Sequence, residues 1–143
     1  MGKYIAHSEA ETLALGNCFG RSLSGGSVVC FFGDLAAGKT TFIKGLATAF
    51  DIDSNQVASP TFAHLNIYQG SKTVYHFDLY RLRDADEFLS MGFDEYFFAD
   101  GVCCVEWSER IAQLLPPDCI RVNLSHGPNN SRHIAIDHDF ICF

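Results

Sequence analysis

The chain has 143 residues, of which 48% are apolar and 19% are charged, a composition typical of a folded globular protein and unlike that of a disordered one. The formal net charge of −7 argues against nonspecific nucleic-acid binding, which needs clustered lysine and arginine. We therefore expect one domain over residues 1–143, without direct sequence-specific binding to nucleic acid.

The longest apolar runs, VVCFF and GVCCV, are far shorter than the roughly 20 residues of a membrane-spanning helix. The N-terminal residues also lack the continuous apolar segment of a secretory signal. Several of the six cysteines lie within apolar runs, and no Cys-x-x-Cys motif is present. These features predict reduced core thiols in a cytoplasmic protein that has no membrane contact.

The first part of the chain predicts a helix, a strand and a second helix. Residues 8–23 carry apolar side chains near helical spacing, and Ser8 with Glu11 forms a capping box. The segment GGSVVCFF predicts a buried strand bounded by glycine. The segment KTTFIKGLATAF predicts a helix with one apolar side.

The second part predicts two hairpins around a further buried strand. The segments VASPTFAHLNIYQG and TVYHFDLYRL predict strands joined at residues 70–71. Next come a helix or broken helix (ADEFLSMGFDEYFF), a buried strand (DGVCCVEW) and a short helix (SERIAQLL) that two prolines end. The segments CIRVNLSH and RHIAIDHD predict a closing hairpin. Helices that alternate with buried strands favour an α/β layered fold, and the hairpins make its sheet mixed.

Residues 33–40, GDLAAGKT, fit the pattern G-x-x-x-x-G-K-[ST]. Gly33 and Gly38 allow backbone angles and close approaches that a side chain would block. The backbone N–H groups of residues 35–40 and the positive end of the next helix can then surround an anion. Lys39 would reach the β- and γ-phosphates, and the Thr40 hydroxyl would coordinate Mg²⁺. A strand before the pattern and a helix after it favour a nucleotide-binding P-loop over a chance glycine turn.

Two carboxylates follow predicted strands and are candidates for the Mg²⁺ region. Glu106 ends the apolar run GVCCVE, which fits a strand beside that of the P-loop. Asp78 ends VYHFD, which alternates more and predicts less burial. Each could instead be a solvated charge at a strand end, but an acidic group directly after a buried strand is costly unless it has a partner.

Other side chains fit two interpretations each. Thr61, displayed after Pro60 in ASPTF, is either a switch threonine that senses the γ-phosphate or part of an ordinary strand entry. Arg81 and Arg83 suit arginine fingers or surface ion pairs with neighbouring aspartates. Trp107 suits stacking on adenine or covering a partner interface. We interpret His76 as a packing or hydrogen-bonding residue rather than a base.

The segments GDLAAGKTTF, SPTF, HFDLYRL and VEWSER, in this order and over this length, resemble the bacterial TsaE family. Its members are small P-loop ATPases needed to make threonylcarbamoyladenosine in tRNA. The P-loop is shared with many families, whereas SPTF together with DLYRL and VEW is much more specific. The resemblance runs from about Leu13 to Ile136. It implies a three-layer P-loop NTPase-like fold with a mixed, mainly parallel central sheet and β-hairpins.

The resemblance also implies the site residues and the cofactors, ATP and Mg²⁺. Thr40 and Glu106 would hold Mg²⁺, and residues 8–12 would border the adenine. The residues that it implies for catalysis are Lys39, Thr61, Asp78 and Glu106. Those that it implies for ATP binding are Gly33, Asp34, Leu35, Ala36, Ala37, Gly38, Lys39, Thr40, Thr41 and Arg132.

Two positions depart from the family pattern. Ala36 stands where the family often has glycine, and alanine can keep the anion-binding backbone conformation only if its φ is negative. Ser108 replaces a frequent proline after VEW. Neither change removes an implied ligand.

The resemblance implies that the TsaB–TsaD heterodimer is the partner, and that ATP hydrolysis, weak in the protein alone, resets this transferase complex. Two other functions fit the same loop. One is a small-molecule kinase, although no arginine-rich lid stands out. The other is a binding module whose nucleotide sets partner affinity without turnover. No guanine-specific Asn-Lys-x-Asp motif is present, which favours ATP over GTP.

Overall fold

The computed structural model describes residues 2–34, 36–60 and 63–141. These residues form a seven-stranded sheet and three α-helices. The strands are β1 (Gly2–Ala6), β2 (Val28–Phe32), β3 (Leu65–Tyr68), β4 (Val74–Asp78), β5 (Val102–Glu106), β6 (Ile120–His126) and β7 (Arg132–Ile136). The α-helices are α1 (Glu9–Arg21), α2 (Lys39–Thr48) and α3 (Ala85–Ser90). Four 3₁₀-helices cover Ser54–Gln56, Phe93–Phe98, Ser108–Leu114 and Pro128–Asn130.

The sheet has the strand order β1-β7-β6-β2-β5-β4-β3. Its four central strands, β6, β2, β5 and β4, pair in parallel, whereas β1, β7 and β3 join by antiparallel pairing. The predicted mixed sheet with a parallel centre is confirmed, as are both hairpins. Parallel strands place their carboxyl ends at one edge, so the ends of β2, β4 and β5 meet there.

Helices cover both faces of the sheet, as the three-layer expectation requires. Successive residues of β2 face opposite sides. Val29 and Phe31 pack in a core with side chains of α1 and α2, whereas Val28 and Cys30 pack in a second core with Phe88 of α3. No helix in the described ranges is both long and apolar enough to cross a bilayer.

Helices α1 and α2 meet at backbone contact distance. A Cβ atom on Gly45 would overlap the carbonyl oxygen of Leu13, and one on Gly16 would overlap that of Phe42. Glycine is therefore required at this crossing by lack of space. At the start of α1, the Ser8 hydroxyl accepts the N–H of Glu11 at 3.1 Å, as the capping box predicts.

Two elements differ from the sequence-based expectation. Strand β1 was not predicted, because its short, alternating sequence gains its order from antiparallel pairing with β7 at the sheet edge. The helix predicted in SERIAQLL is a 3₁₀-helix with a kink at Ile111, where φ is −128°. The broken-helix alternative for ADEFLSMGFDEYFF is confirmed, since α3 and the 3₁₀-helix are separated at Gly92.

The predicted reduced thiols are confirmed at four cysteines and wrong at one. Cys30, Cys103 and Cys104 are free and buried, and Cys119 is free and half-buried. Burial raises the pKa of the Cys103 thiol to about 12. Cys18, by contrast, is disulfide-bonded. The sequence did not reveal that the C-terminal segment folds back across α1, where Phe140 contacts Phe19 at a centroid distance of 5.5 Å.

Candidate functional site

The 33–40 loop connects the end of β2 to the start of α2. Gly33 and Gly38 have φ values of 145° and 102°, and a Cβ on Gly33 would overlap the carbonyl oxygen of Leu124. Both positions therefore need glycine, as the sequence predicts. The loop ends at the N-terminus of the ten-residue α2, where unpaired N–H groups and the helix dipole favour an anion.

Ala36 has a φ of 61°, so the negative φ that the sequence-based expectation required of alanine in the anion-binding loop is not present. The N–H of Ala37 donates to the carbonyl of Asp34 at 3.2 Å, which closes a four-residue turn with Ala36 in the third position. The commonest turn of this size, type I, takes a negative φ at the third position, whereas type II and type I′ turns take a positive one, so Ala36 has the angle of the latter types. An L-residue in this region costs about 1–2 kcal/mol.

Lys39 lies inside the loop and is only 5% exposed. Its Nζ donates to the carbonyl oxygen of Gly33 at 2.7 Å and lies 3.8 Å from the centroid of the Trp107 ring. Burial lowers the pKa of Lys39, and the carboxylate of Glu106 opposes that shift. The ring centroids of Trp107 and Tyr80 lie 4.9 Å apart. Trp107 therefore contacts both Tyr80 and Lys39, and it lines the cleft.

Thr40 and Glu106 meet at the carboxyl edge of the sheet. Strand pairing sets Glu106 beside Phe31 of β2, and the Thr40 hydroxyl donates to both Glu106 carboxylate oxygens at 3.3 Å. Glu106 is only 3% exposed, and the Thr40 hydroxyl is one of the partners that a buried carboxylate requires. The Ser59 hydroxyl lies 3.0 Å from that of Thr40.

Asp78 pairs with Glu106 across β4 and β5, so the two predicted carboxylates are neighbours. Asp78 is half-buried, in line with the lesser burial that its sequence predicts. Burial raises the pKa of Asp78, and the N–H of Tyr80, which donates to its Oδ1 at 3.1 Å, partly offsets this.

The oxygen donors at this edge fit Mg²⁺ bound together with phosphate. Within the described ranges, no group of three or more His, Cys, Asp or Glu side chains is placed to hold a metal ion alone. Mg²⁺ commonly takes one or two carboxylates and completes its octahedron with phosphate oxygens and water. The Thr40 hydroxyl and the buried Glu106 carboxylate, which both line the cleft, match that donor set.

The cleft beside the loop has a volume of about 440 Å³. The start of α1 forms one wall, through Ser8, Glu9 and Thr12. Arg132 lies at the loop itself, where its guanidinium donates to the carbonyl of Ala36 at 3.5 Å. The structure thus brings this late arginine and α1 to the same cleft.

Most of the predicted site residues line the cleft, namely Ala36, Gly38, Lys39, Thr40, Thr41, Asp78, Glu106 and Arg132. Gly33, Asp34 and Ala37 do not: Gly33 contributes its carbonyl to Lys39, Asp34 is exposed and Ala37 packs in the core. Leu35 and Thr61 lie outside the described residues. Sequence reasoning did not assign Ser59 or Asn130, although Ser59 stands in the SPTF segment.

The contacts of His76 and Arg83 decide between the two interpretations that the sequence allowed for each residue. His76 Nε2 lies 2.6 Å from Glu106 Oε2, so the hydrogen-bonding interpretation is confirmed. Arg83 forms an exposed ion pair with Asp84 at 3.5 Å, as the surface alternative predicts.

Comparisons with known proteins agree on one family. The family model described as "Threonylcarbamoyl adenosine biosynthesis protein TsaE" matches residues 6–134. The tRNA threonylcarbamoyladenosine biosynthesis protein TsaE of Treponema pallidum (strain Nichols) is 40% identical over 132 residues, which cover 92% of this chain and 97% of that protein. The protein of the same name from Bacillus subtilis (strain 168) is 38% identical over 134 residues, which cover 93% of this chain and 83% of the relative.

A solved structure gives the same picture. The crystal structure of Bacillus subtilis YdiB matches with a TM-score of 0.78 and 31% sequence identity, covering 94% of this chain and 83% of that one. The family match includes every residue that lines the cleft.

Proposed function

This chain belongs to the TsaE family of threonylcarbamoyladenosine biosynthesis proteins, and from this premise we propose that it binds Mg²⁺-ATP in the cleft beside the 33–40 loop and hydrolyses it. The observation that carries the proposal is the convergence of Lys39, Thr40 and Glu106 at the start of α2. A buried ammonium, a hydroxyl and a buried carboxylate at a helix N-terminus are the groups that a metal–triphosphate requires.

Each side chain has a distinct task in this proposal. Lys39 exchanges the Gly33 carbonyl for phosphate oxygens, while Thr40 and Glu106 hold the metal ion. Bound Mg²⁺ would supply positive charge that stabilises the transferring phosphoryl group. Asp78, next to Glu106 and half-buried, orients the attacking water, and Arg132 approaches the phosphates from the side of Ala36.

Thr61 keeps its predicted role as a switch threonine, on a segment that follows Ser59. The contact between the Ser59 and Thr40 hydroxyls supports this role, because it brings the preceding segment to the proposed metal site.

We further propose that the physiological activator is the TsaB–TsaD heterodimer and that hydrolysis resets this complex in the cytoplasm. The family's part in making threonylcarbamoyladenosine supports a partner in that synthesis. The net charge of −7 is compatible with tRNA contacts made by the partners rather than by this chain.

The test is the release of ADP and inorganic phosphate from Mg²⁺-ATP by the purified protein, alone and with TsaB–TsaD. We expect a low rate that rises strongly with the heterodimer and is abolished by Lys39→Ala. Normal complex-dependent turnover by Lys39→Ala would overturn the assignment. ADP formation that requires an added hydroxyl acceptor would indicate the kinase alternative, and ATP-dependent partner binding without turnover would indicate the binding module.

A further inference from the structure

A chain of buried side chains leads away from Glu106 across the sheet. His76 Nε2 lies 2.6 Å from Glu106 Oε2, and His76 Nδ1 lies 3.0 Å from the Tyr68 hydroxyl. Tyr68, His76 and Glu106 are only 6%, 0% and 3% exposed. They project from the neighbouring strands β3, β4 and β5 on the face that α2 covers. Neither Tyr68 nor His76 lines the cleft.

The far end of this chain returns to the cleft through residues 58–59. The Ala58 N–H donates to the Tyr68 hydroxyl oxygen at 3.2 Å. The next residue, Ser59, contacts the Thr40 hydroxyl at 3.0 Å, and Thr40 donates to Glu106. These hydrogen bonds and the backbone between residues 58 and 59 together form a closed ring, which runs through Ala58, Tyr68, His76, Glu106, Thr40 and Ser59.

The Tyr68 hydroxyl oxygen lies 3.0 Å from both His76 Nδ1 and the Ala58 carbonyl oxygen, so its single proton has two possible acceptors. One assignment of hydrogens gives this proton to His76. An ionised carboxylate only accepts, so Glu106 accepts a hydrogen bond from His76 Nε2–H. Nδ1 of the neutral imidazole then accepts from the Tyr68 O–H, and the Tyr68 oxygen accepts from the Ala58 N–H. Asn66 Nδ2 donates to the Ala58 carbonyl at 3.1 Å, so the backbone of Ala58 is also satisfied. In this assignment the Tyr68 hydroxyl favours the imidazole tautomer that donates to Glu106.

We propose that Tyr68 and His76 are positioning residues that fix the Glu106 carboxylate for Mg²⁺ and link it to residues 58–59. This inference rests on the proposed function of the site. Partners that hold a metal-binding carboxylate in one orientation raise its affinity for the metal, and their loss commonly costs about 10- to 100-fold. A network with every member satisfied also holds one geometry more firmly than isolated bonds do.

The test measures binding of a fluorescent ATP analogue as a function of Mg²⁺ concentration, and separately in EDTA. His76→Leu should raise the Mg²⁺ concentration that gives half of the maximal Mg²⁺-dependent analogue binding by about 10- to 100-fold. Tyr68→Phe should raise it less, and His76→Gln, which keeps a donor toward Glu106, should recover part of the loss. Binding in EDTA should stay unchanged in all three. The matched control is Tyr75→Phe, whose ring packs on Tyr96 in the opposite core.

A double-mutant cycle separates this role from general packing. In a Glu106→Gln background, Tyr68→Phe should no longer alter the Mg²⁺ requirement, because its effect passes through the carboxylate. An equal effect in both backgrounds would overturn the proposal. So would an unchanged Mg²⁺ requirement in Tyr68→Phe and His76→Gln proteins that fold normally.

A second measurement needs neither metal nor nucleotide. The ¹⁵N chemical shifts of the His76 imidazole should show the Nε2–H tautomer in the unmodified protein and a mixture of tautomers in Tyr68→Phe. A His76 tautomer that does not respond to Tyr68→Phe would contradict the chain. If the unmodified protein bound no nucleotide analogue, the proposed function would fail, while the tautomer would still report on the network.

Discussion

Nζ of Lys39 lies 2.7 Å from the carbonyl oxygen of Gly33, so the lysine bridges the two ends of its own loop. This bond satisfies a buried ammonium and spans the loop that would surround a phosphate. Loss of the donor should therefore affect binding more than folding.

Lys39→Met keeps the length of the side chain and removes its charge and donors. Because hydrogen bonds to charged groups contribute about 1.5–3 kcal/mol, we expect the affinity for an ATP analogue to fall by about 10- to 100-fold. Isothermal titration measures the affinity, and circular dichroism checks the fold. Lys44→Met, on the same helix, is the control. An undiminished affinity of Lys39→Met for the analogue would show that Lys39 does not contribute to nucleotide binding.

Asp78→Asn should stabilise the nucleotide-free protein at neutral pH. Burial raises the pKa of Asp78 in the folded state above its ordinary value of 3.8, so the folded protein binds this proton more tightly than the unfolded chain does. The contribution of the protonated Asp78 carboxyl to the free energy of unfolding is fully present below pH 3.8, and it is lost as the pH rises through the pKa of the folded state. Asparagine is neutral at every pH and avoids this loss of stability.

The gain from Asp78→Asn should stay below about 1 kcal/mol, since solvent screens a half-buried carboxylate. Urea unfolding at several pH values checks the result, with the exposed Asp118→Asn as control. The benefit should vanish below about pH 4. A benefit of the same size at every pH would contradict the explanation. By the proposed mechanism, the same variant should lose ATP turnover.

Ala36→Gly should relieve the strain of a left-handed alanine. The relief of about 1–2 kcal/mol is reduced by the greater freedom of glycine in the unfolded chain, about 0.5–1 kcal/mol. We expect the free energy of unfolding to rise by up to about 1 kcal/mol. The control is Ala37→Gly, which removes a buried methyl group and should destabilise the protein. Comparable destabilisation by both substitutions would show that Ala36 is not strained.

Gly45→Ala should destabilise the protein by about 1–3 kcal/mol, because its Cβ would overlap the backbone of Leu13 in α1. Thermal unfolding measures the loss, and Lys44→Ala, one residue earlier in α2, is the control. Since α1 also supplies Ser8 and Thr12 to the cleft, nucleotide affinity should fall in the same variant. A Gly45→Ala protein as stable as Lys44→Ala would rule out the close crossing.

The sequence allowed prediction of the loop and of the acidic pair because both follow local rules. A strand, a glycine pattern and a helix place Lys39 and Thr40, and adjacent parallel strands bring Asp78 and Glu106 to one edge. The chain from Tyr68 to Glu106 could not be predicted. Its two links span eight and 30 residues, and they depend on strand register and side-chain rotamers that no local pattern encodes.

The backbone angle of Ala36 and the edge strand β1 also escaped prediction. The positive φ of Ala36 could not be predicted, because residue type alone favours a negative value. Strand β1 depends on β7, which lies more than a hundred residues away along the chain.

The crossing of α1 and α2 has a mechanical consequence. Packed helices slide by small shifts of the side chains between them, and at Gly16 and Gly45 there is no such layer. We therefore expect the α1 wall of the cleft and the base of the 33–40 loop to move together. Opening or closing of the cleft would then come from its other lining residues, among them Ser59, Asp78 and Trp107.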